Sequence, residues 1–300
     1  MTPTAVLFPG QGSHTPDMRD LVSSVRPDLL AAAIELVGED PFARVGESTR
    51  FAQPAIFCAS LAGWTLLRER VDPIALAGHS LGELTALAAA GALDEHDALR
   101  LVTLRGHLMD VSGEASRGGT MLAVLGATPA QAAALAARHD VSVANDNAPG
   151  QVVLSGAQQA LTAVERDARG TGLRAVALDV SGAFHSPQMR YAVAPFREAL
   201  KEIRIRDAAI RVWSCATARP FREPADELAR ALVRPVRWRE TMIALAAAGA
   251  STFVDAGPGT MLTTLTPYCV PGIAAVSHDR FLADGRLRRR LIGRRRARRS

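Results

Sequence analysis

The stretch GHSLG at residues 78–82 constrains this chain more than any other feature. An apolar run, DPIALAG, leads into it, and LGELTALAAA follows with Gly82 as its one breaker. That pattern spells a strand, a sharp turn and a helix. Small residues on both sides let the backbone bend tightly enough to hold the Ser80 hydroxyl out beyond the strand end. The helix start then offers amide hydrogens and the positive end of a dipole, which suit an oxyanion. A plain tight turn with an N-capping serine is the simpler alternative.

Around this elbow the chain alternates between short apolar runs and helical periodicity. Ala5–Phe8 reads as a first strand ending in the glycine turn PGQGS, and QPAIFCASLAGWTLLRER carries apolar residues at helical spacing. The rhythm changes from Met121 to Asp179, where strand, helix, two strands across the turn DNAPG, helix and strand follow one another. That β-α-β-β-α-β order is the split, ferredoxin-like one. Beyond it, a helix from about Pro187 to Ile203, another around Arg239–Ala248, and the strand STFVDAG restore the alternation. The expected fold is therefore α/β: a large α/β-hydrolase-like subdomain with a parallel sheet, residues 1–120 and 186–280, holding an inserted small ferredoxin-like subdomain at 121–185. Residues 281–300 are expected to form a basic, flexible tail.

Composition narrows the function classes. The formal charge of +5 hints at nucleic acid, yet nine arginines and no acid lie between residues 286 and 299, so the remainder, the +5 less those nine, carries −4. The tail lacks an aromatic residue to stack on a base, so no specific nucleic-acid recognition is expected. No apolar stretch reaches the roughly 18 residues of a membrane span, and Met1–Pro9 lacks the basic start of a secretion signal. The chain reads as cytoplasmic. Cys58, Cys215 and Cys269 are odd in number and without metal-ligand spacing, which fits reduced structural thiols and no metal site. PGQGS lacks the spacing of a dinucleotide fingerprint, so its glycines are better suited to bringing an amide close to an oxyanion.

A nucleophilic serine needs a base. His79 adjoins Ser80, but neighbours on an extended chain point to opposite faces, which makes it structural. His107 shares a polar helix face with Arg100, Thr103 and Asp110, while His14, His96 and His139 have nothing to single them out. His185, in the loop VSGAFHSP, and His278, in AVSHDR, remain. Arg105 is the sharpest single charge: residues 101, 104, 105, 108 and 109 share a helix face on which the other four are apolar. A guanidinium there needs an anion, either a buried acid or a substrate carboxylate gripped by two parallel hydrogen bonds.

Eight blocks, FPGQGS, QPAIF, GHSLGEL, LRGHLM, NAPGQVVLSG, SGAFHSPQM, PVRW and VDAGPGTML, stand in an order and spacing that a known family shares. Over roughly residues 4–266 the chain resembles malonyl-CoA:acyl carrier protein transacylases and the related acyltransferase domains of polyketide synthases. The resemblance implies Ser80 as nucleophile and His185 as the base, oriented by main-chain carbonyls. It also implies an oxyanion hole from the amides of Gln11 and Leu81, and Arg105 as the binder of the malonyl carboxylate. Two positions depart from the family: Ala231 stands where a glutamine is frequent, and His14 where glutamine is common. Malonyl-CoA and acyl carrier protein are the implied partners; no cofactor is expected, since coenzyme A belongs to the substrate, and the expected state is a monomer. Fatty acid biosynthesis is the expected setting, with a polyketide or malonate decarboxylase system as the alternative. Two rival readings stand beside it. One is a serine hydrolase of the α/β-hydrolase type using Ser80, Asp255 and His278; the other is a carrier-protein docking partner with a relic site.

Overall fold

The fold is described from a computed structural model that covers residues 2–115 and 118–284. β1 (Thr4–Phe8), buried along its whole length, starts a parallel sheet, and its apolar run Ala5–Phe8 is what a strand covered on both faces requires. Helices α1 (Met18–Val25), α2 (Pro27–Val37) and α3 (Thr49–Leu67) follow, then β2 (Pro73–Gly78), α4 (Gly82–Ala89) and α5 (Glu95–Ala115). The chain next builds β3 (Gly119–Leu125), α6 (Pro129–Arg138), β4 (Ser142–Ala148), β5 (Gln151–Ala157), α7 (Gln158–Gly170) and β6 (Arg174–Ala177). It returns through α8 (Arg190–Lys201), β7 (Val212–Ser214), β8 (Arg219–Pro220), α9 (Pro224–Ala231), α10 (Trp238–Ala247), β9 (Thr252–Asp255), α11 (Met261–Cys269) and β10 (Ala274–Ser277).

The large sheet runs β10-β9-β1-β2-β7-β8, parallel except for the two-residue edge strand β8. One face packs against α3, α4 and their neighbours through Val6, Phe8 and Val254; the other packs against α10 and α11 through Leu7, Ala77 and Phe253. The small sheet runs β4-β5-β3-β6, wholly antiparallel, which is the ferredoxin-like arrangement read from the sequence. Period-two alternation sends Leu122 and Val124 into a core beneath α6 and α7, and turns Met121 and Ala123 toward the large sheet's helices. The two parts are tied together by a main-chain bridge, Val236 N–H to Ala144 C=O at 2.8 Å and Asp146 N–H to Val236 C=O at 2.9 Å.

Three local readings change. The strand expected through Val180 stops at Ala177, and residues 178–186 form an irregular loop. β7 and β8, three and two residues long, are too short for periodicity to mark, and α9 adds an eight-residue helix that the sequence pattern above does not include. Residues 281–284, expected as the start of the tail, belong to a helical segment over 278–284 whose Leu282 is buried in the main core. The arginine run itself lies outside the described residues.

Candidate active site

The turn after β2 is closed by contacts that only glycine permits. A Cβ on Gly78 would lie 1.8 Å from the carbonyl carbon of Gly82, and one on Gly82 would lie 2.0 Å from the carbonyl oxygen of Phe8 on β1. Packing the start of α4 this close to two strands forces Ser80 into the left-handed region, φ 53°. Such a conformation is unfavourable for a residue with a side chain and persists because the surroundings enforce it. Ser80 is thereby held at the carboxyl end of β2, where open parallel sheets collect ligands, and it is half-buried at a cleft of about 620 Å³ between the two subdomains.

Of the two histidines left open by the sequence, the fold brings His185 to the serine. Its Nε2 lies 2.7 Å from Ser80 Oγ, while Nδ1 lies 2.9 Å from the carbonyl oxygen of Ala231 and 3.0 Å from that of Arg234. Carbonyl oxygens only accept, so Nδ1 carries the hydrogen and Nε2 presents its lone pair to the Ser80 hydroxyl. Ala231 ends α9, where carbonyls lack a partner one turn on, and so a helix terminus orients the imidazole. His185 also has a positive φ, 56°. Burial, reinforced by the positive charge of Arg105, pushes its pKa down to about 3. The ring is therefore neutral, and able to accept a proton, across the physiological range.

Arg105 is buried on α5, as its helix face implied, and its Nη2 donates to Ser80 Oγ at 3.0 Å. Its Nη1 donates to Gln53 Oε1 on α3 at 2.8 Å. Direct contact with a protein carboxylate is replaced by these two neutral acceptors. Burial lowers its pKa to about 10, opposed mainly by the charge of Glu83. Glu83, buried on α4, accepts from the Cys215 amide at 2.7 Å, and burial raises its pKa to about 7. Gln11 lines the cleft beside the elbow, and Leu81 opens α4. No hydrogen bond to another described residue occupies the amide of either.

The hydrolase alternative is not assembled. Asp255 and His278 do not line the cleft. Asp255 is buried on β9, accepting from the Gly257 amide at 3.0 Å and from the amide of Leu262 in α11. The His278 ring sits on the opposite face, its Cγ 3.5 Å from where a Cβ on Gly63 of α3 would stand. His278 opens the helical segment after β10 with its ring against α3, whereas Asp255 is held against α11, so no acid–base pair forms. His79 is structural, as read: Nε2 lies 2.9 Å from Asn147 Oδ1 and the ring stands edge-on to Trp238, centroids 5.4 Å apart.

Sequence reasoning missed Gln53, Thr49 and Glu83. A signal existed for Gln53, a polar side chain in the otherwise apolar run AQPAIFCA. The Ala231 and Arg234 carbonyls carried none, because main-chain oxygen is common to every residue.

Comparison with known proteins places the chain in a family. Residues 32–271 match the acyl transferase domain family. The chain is 36% identical over 289 residues to the malonyl CoA-acyl carrier protein transacylase of Bacillus subtilis, covering 88% of this chain and 90% of that one. It is 38% identical over 291 residues to the polyketide biosynthesis protein ThaF of Burkholderia thailandensis, covering 91% of this chain but only 25% of ThaF. The crystal structure of an acyl carrier protein S-malonyltransferase from Vibrio cholerae superposes with a TM-score of 0.85 at 33% identity, covering 92% of this chain and 96% of that one. In sequence and in fold, the chain belongs to the acyl transferase domain family, among its malonyl CoA-acyl carrier protein transacylases.

Proposed function

We propose that the protein transfers a malonyl group from malonyl-CoA to the phosphopantetheine thiol of an acyl carrier protein, through an ester on Ser80. The observation that carries this reading is the convergence on one oxygen: Ser80 Oγ lies 2.7 Å from a lone-pair-bearing His185 Nε2 and 3.0 Å from Arg105 Nη2. His185 takes the hydroxyl proton as Ser80 attacks the thioester carbonyl. The amides of Gln11 and Leu81 stabilise the tetrahedral oxyanion, and the proton returns to the departing coenzyme A thiol. In the second half-reaction His185 deprotonates the carrier thiol, which attacks the ester and releases Ser80. Ala231, in place of a glutamine, leaves the step intact because its carbonyl makes the contact.

Arg105 supplies selectivity. A malonyl carboxylate reaching its guanidinium pairs with a buried cation, whereas an acetyl group leaves that cation without an anion, a difference of a few kcal/mol in favour of malonyl. No cofactor or metal enters these steps. The three buried, unpaired thiols suit a reducing compartment, so we place the reaction in the cytoplasm.

Intact-mass spectrometry tests the reading. Brief exposure to malonyl-CoA should add one malonyl group, which Ser80→Ala abolishes and Arg105→Ala strongly diminishes; release of free malonate without a carrier would point to a hydrolase instead. Fatty acid biosynthesis is the proposed setting. The 38% identity to ThaF favours a second, polyketide setting. Comparing kcat/KM for a fatty-acid carrier and a polyketide carrier separates the two.

A further inference from the structure

Arg105 is held by a chain of neutral groups that runs from the elbow to the turn after β1. Gln53 is fully buried, and a guanidinium only donates, so the amide oxygen of Gln53 faces Arg105 and its nitrogen faces the other way. That nitrogen donates to Thr49 Oγ1 at 2.8 Å and lies 3.3 Å from Met109 Sδ. Thr49 Oγ1, accepting there, passes its own hydrogen to Gln11 Oε1 at 2.5 Å. Every donor and acceptor in the chain has one orientation, set by the arginine at its end.

We infer that Gln53 is the positioning residue that sets acyl-group selectivity: it orients Arg105 by hydrogen bonding without setting a charge against it, so that the incoming carboxylate is the direct anionic partner. This rests on the function proposed above. An acid at the same place would hold the guanidinium equally well and quench it. Position 53 must therefore offer an acceptor without a charge, which glutamine does. Glu83 is not that direct partner: its carboxylate accepts from the Cys215 amide, and its charge acts on the guanidinium without a hydrogen bond between them.

The test is Gln53→Glu, read by the KM and kcat of Ser80 acylation with malonyl-CoA and acetyl-CoA across pH. A fluorophosphonate that labels Ser80 without needing a carboxylate serves as the internal control. The ionisable groups facing position 53 are Arg105 on α5, with Glu83 of α4 and the His185 loop beyond it; Thr49 and Met109 do not titrate. At about pH 8, malonyl kcat/KM should fall roughly 10–100-fold through KM, while acetyl transfer and phosphonate labelling hold or rise. Lowering the pH to about 6 should not restore malonyl transfer, because a carboxylate held against Arg105 stays ionised well below its ordinary range. Parallel loss of malonyl and acetyl transfer, or recovery of malonyl transfer near pH 6, would overturn the inference. Should Gln53→Glu not fold, Gln53→Leu decides: it removes the acceptor but not the charge, and should raise malonyl KM roughly tenfold while phosphonate labelling persists. An unchanged KM would refute the role. Arg105→Ala distinguishes the two levels: if it keeps full malonyl selectivity the underlying function fails, whereas loss there with none in the Gln53 variants fails this inference alone.

Discussion

His185 shows how burial chooses a protonation state. With its pKa pushed down to about 3 by desolvation and by Arg105, it stays neutral far below the usual histidine range. A base acts when unprotonated, so lowering its pKa extends activity toward acid. Phosphonate labelling of Ser80 is expected to stay flat from about pH 8 down to about pH 5, where an unperturbed imidazole would already have lost activity near its ordinary 6.5. A rate that falls with a midpoint near 6.5 would refute the burial account. Glu83 titrates in the opposite sense. Its folded value of about 7 exceeds the ordinary 4.5, so both states are protonated below about 4.5 and the folded protein retains its proton as the unfolded chain ionises. Stability contributed by this group therefore falls as pH rises through that window and levels off above about 7. Relative to the parent, Glu83→Gln should gain about 2–3 kcal/mol between pH 4 and pH 8, measured by urea unfolding at each pH.

The elbow and the end of α9 work as elements, and they tolerate change differently. Gly82→Ala, at the start of α4, drives a methyl group into the Phe8 carbonyl, which is backbone held in the sheet. It should unfold the protein or cost several kcal/mol, seen as lost soluble yield or a collapsed Tm. Ala231→Gly leaves the carbonyl that His185 uses untouched. It should lower stability by at most about 1 kcal/mol, the cost of exchanging alanine for glycine inside a helix, while changing kcat/KM by less than about threefold. A tenfold loss there would mean that the side chain at 231, and not its carbonyl, orients the base.

Across the molecule, the cleft exists because two sheets are fastened edge to helix. Arg239 on α10 grips Asp146 on β4 through Nε at 3.0 Å and Nη2 at 2.6 Å, beside the Val236 bridge. Arg239→Met should lower stability by about 1–2 kcal/mol. Both subdomains should still melt in one transition when tryptophan fluorescence and Ser80 labelling are followed together. His278→Ala should leave a small cavity and a lower Tm but keep kcat/KM within about threefold, because its ring packs behind α3 and outside the cleft.

By itself the sequence determined the elements and the turn that presents Ser80. Local periodicity and the steric freedom of glycine are properties of a few consecutive residues, so β2, the elbow and α4 were legible, as was the ferredoxin-like order of β3 to β6. It also showed that Arg105 would be buried, since a helix face is a local pattern. Which histidine meets Ser80 was not legible. His185 and His278 both followed apolar runs, and the choice depends on the layer each loop faces once strands far apart in the chain have paired. The partners of Arg105 were equally hidden, because Gln53 and Ser80 reach it from separate helices and turns. Tertiary structure decided the base, its tautomer and the neutral cradle of the arginine, for the physical reason that hydrogen bonds across 46 and 52 residues of chain leave no trace in local sequence.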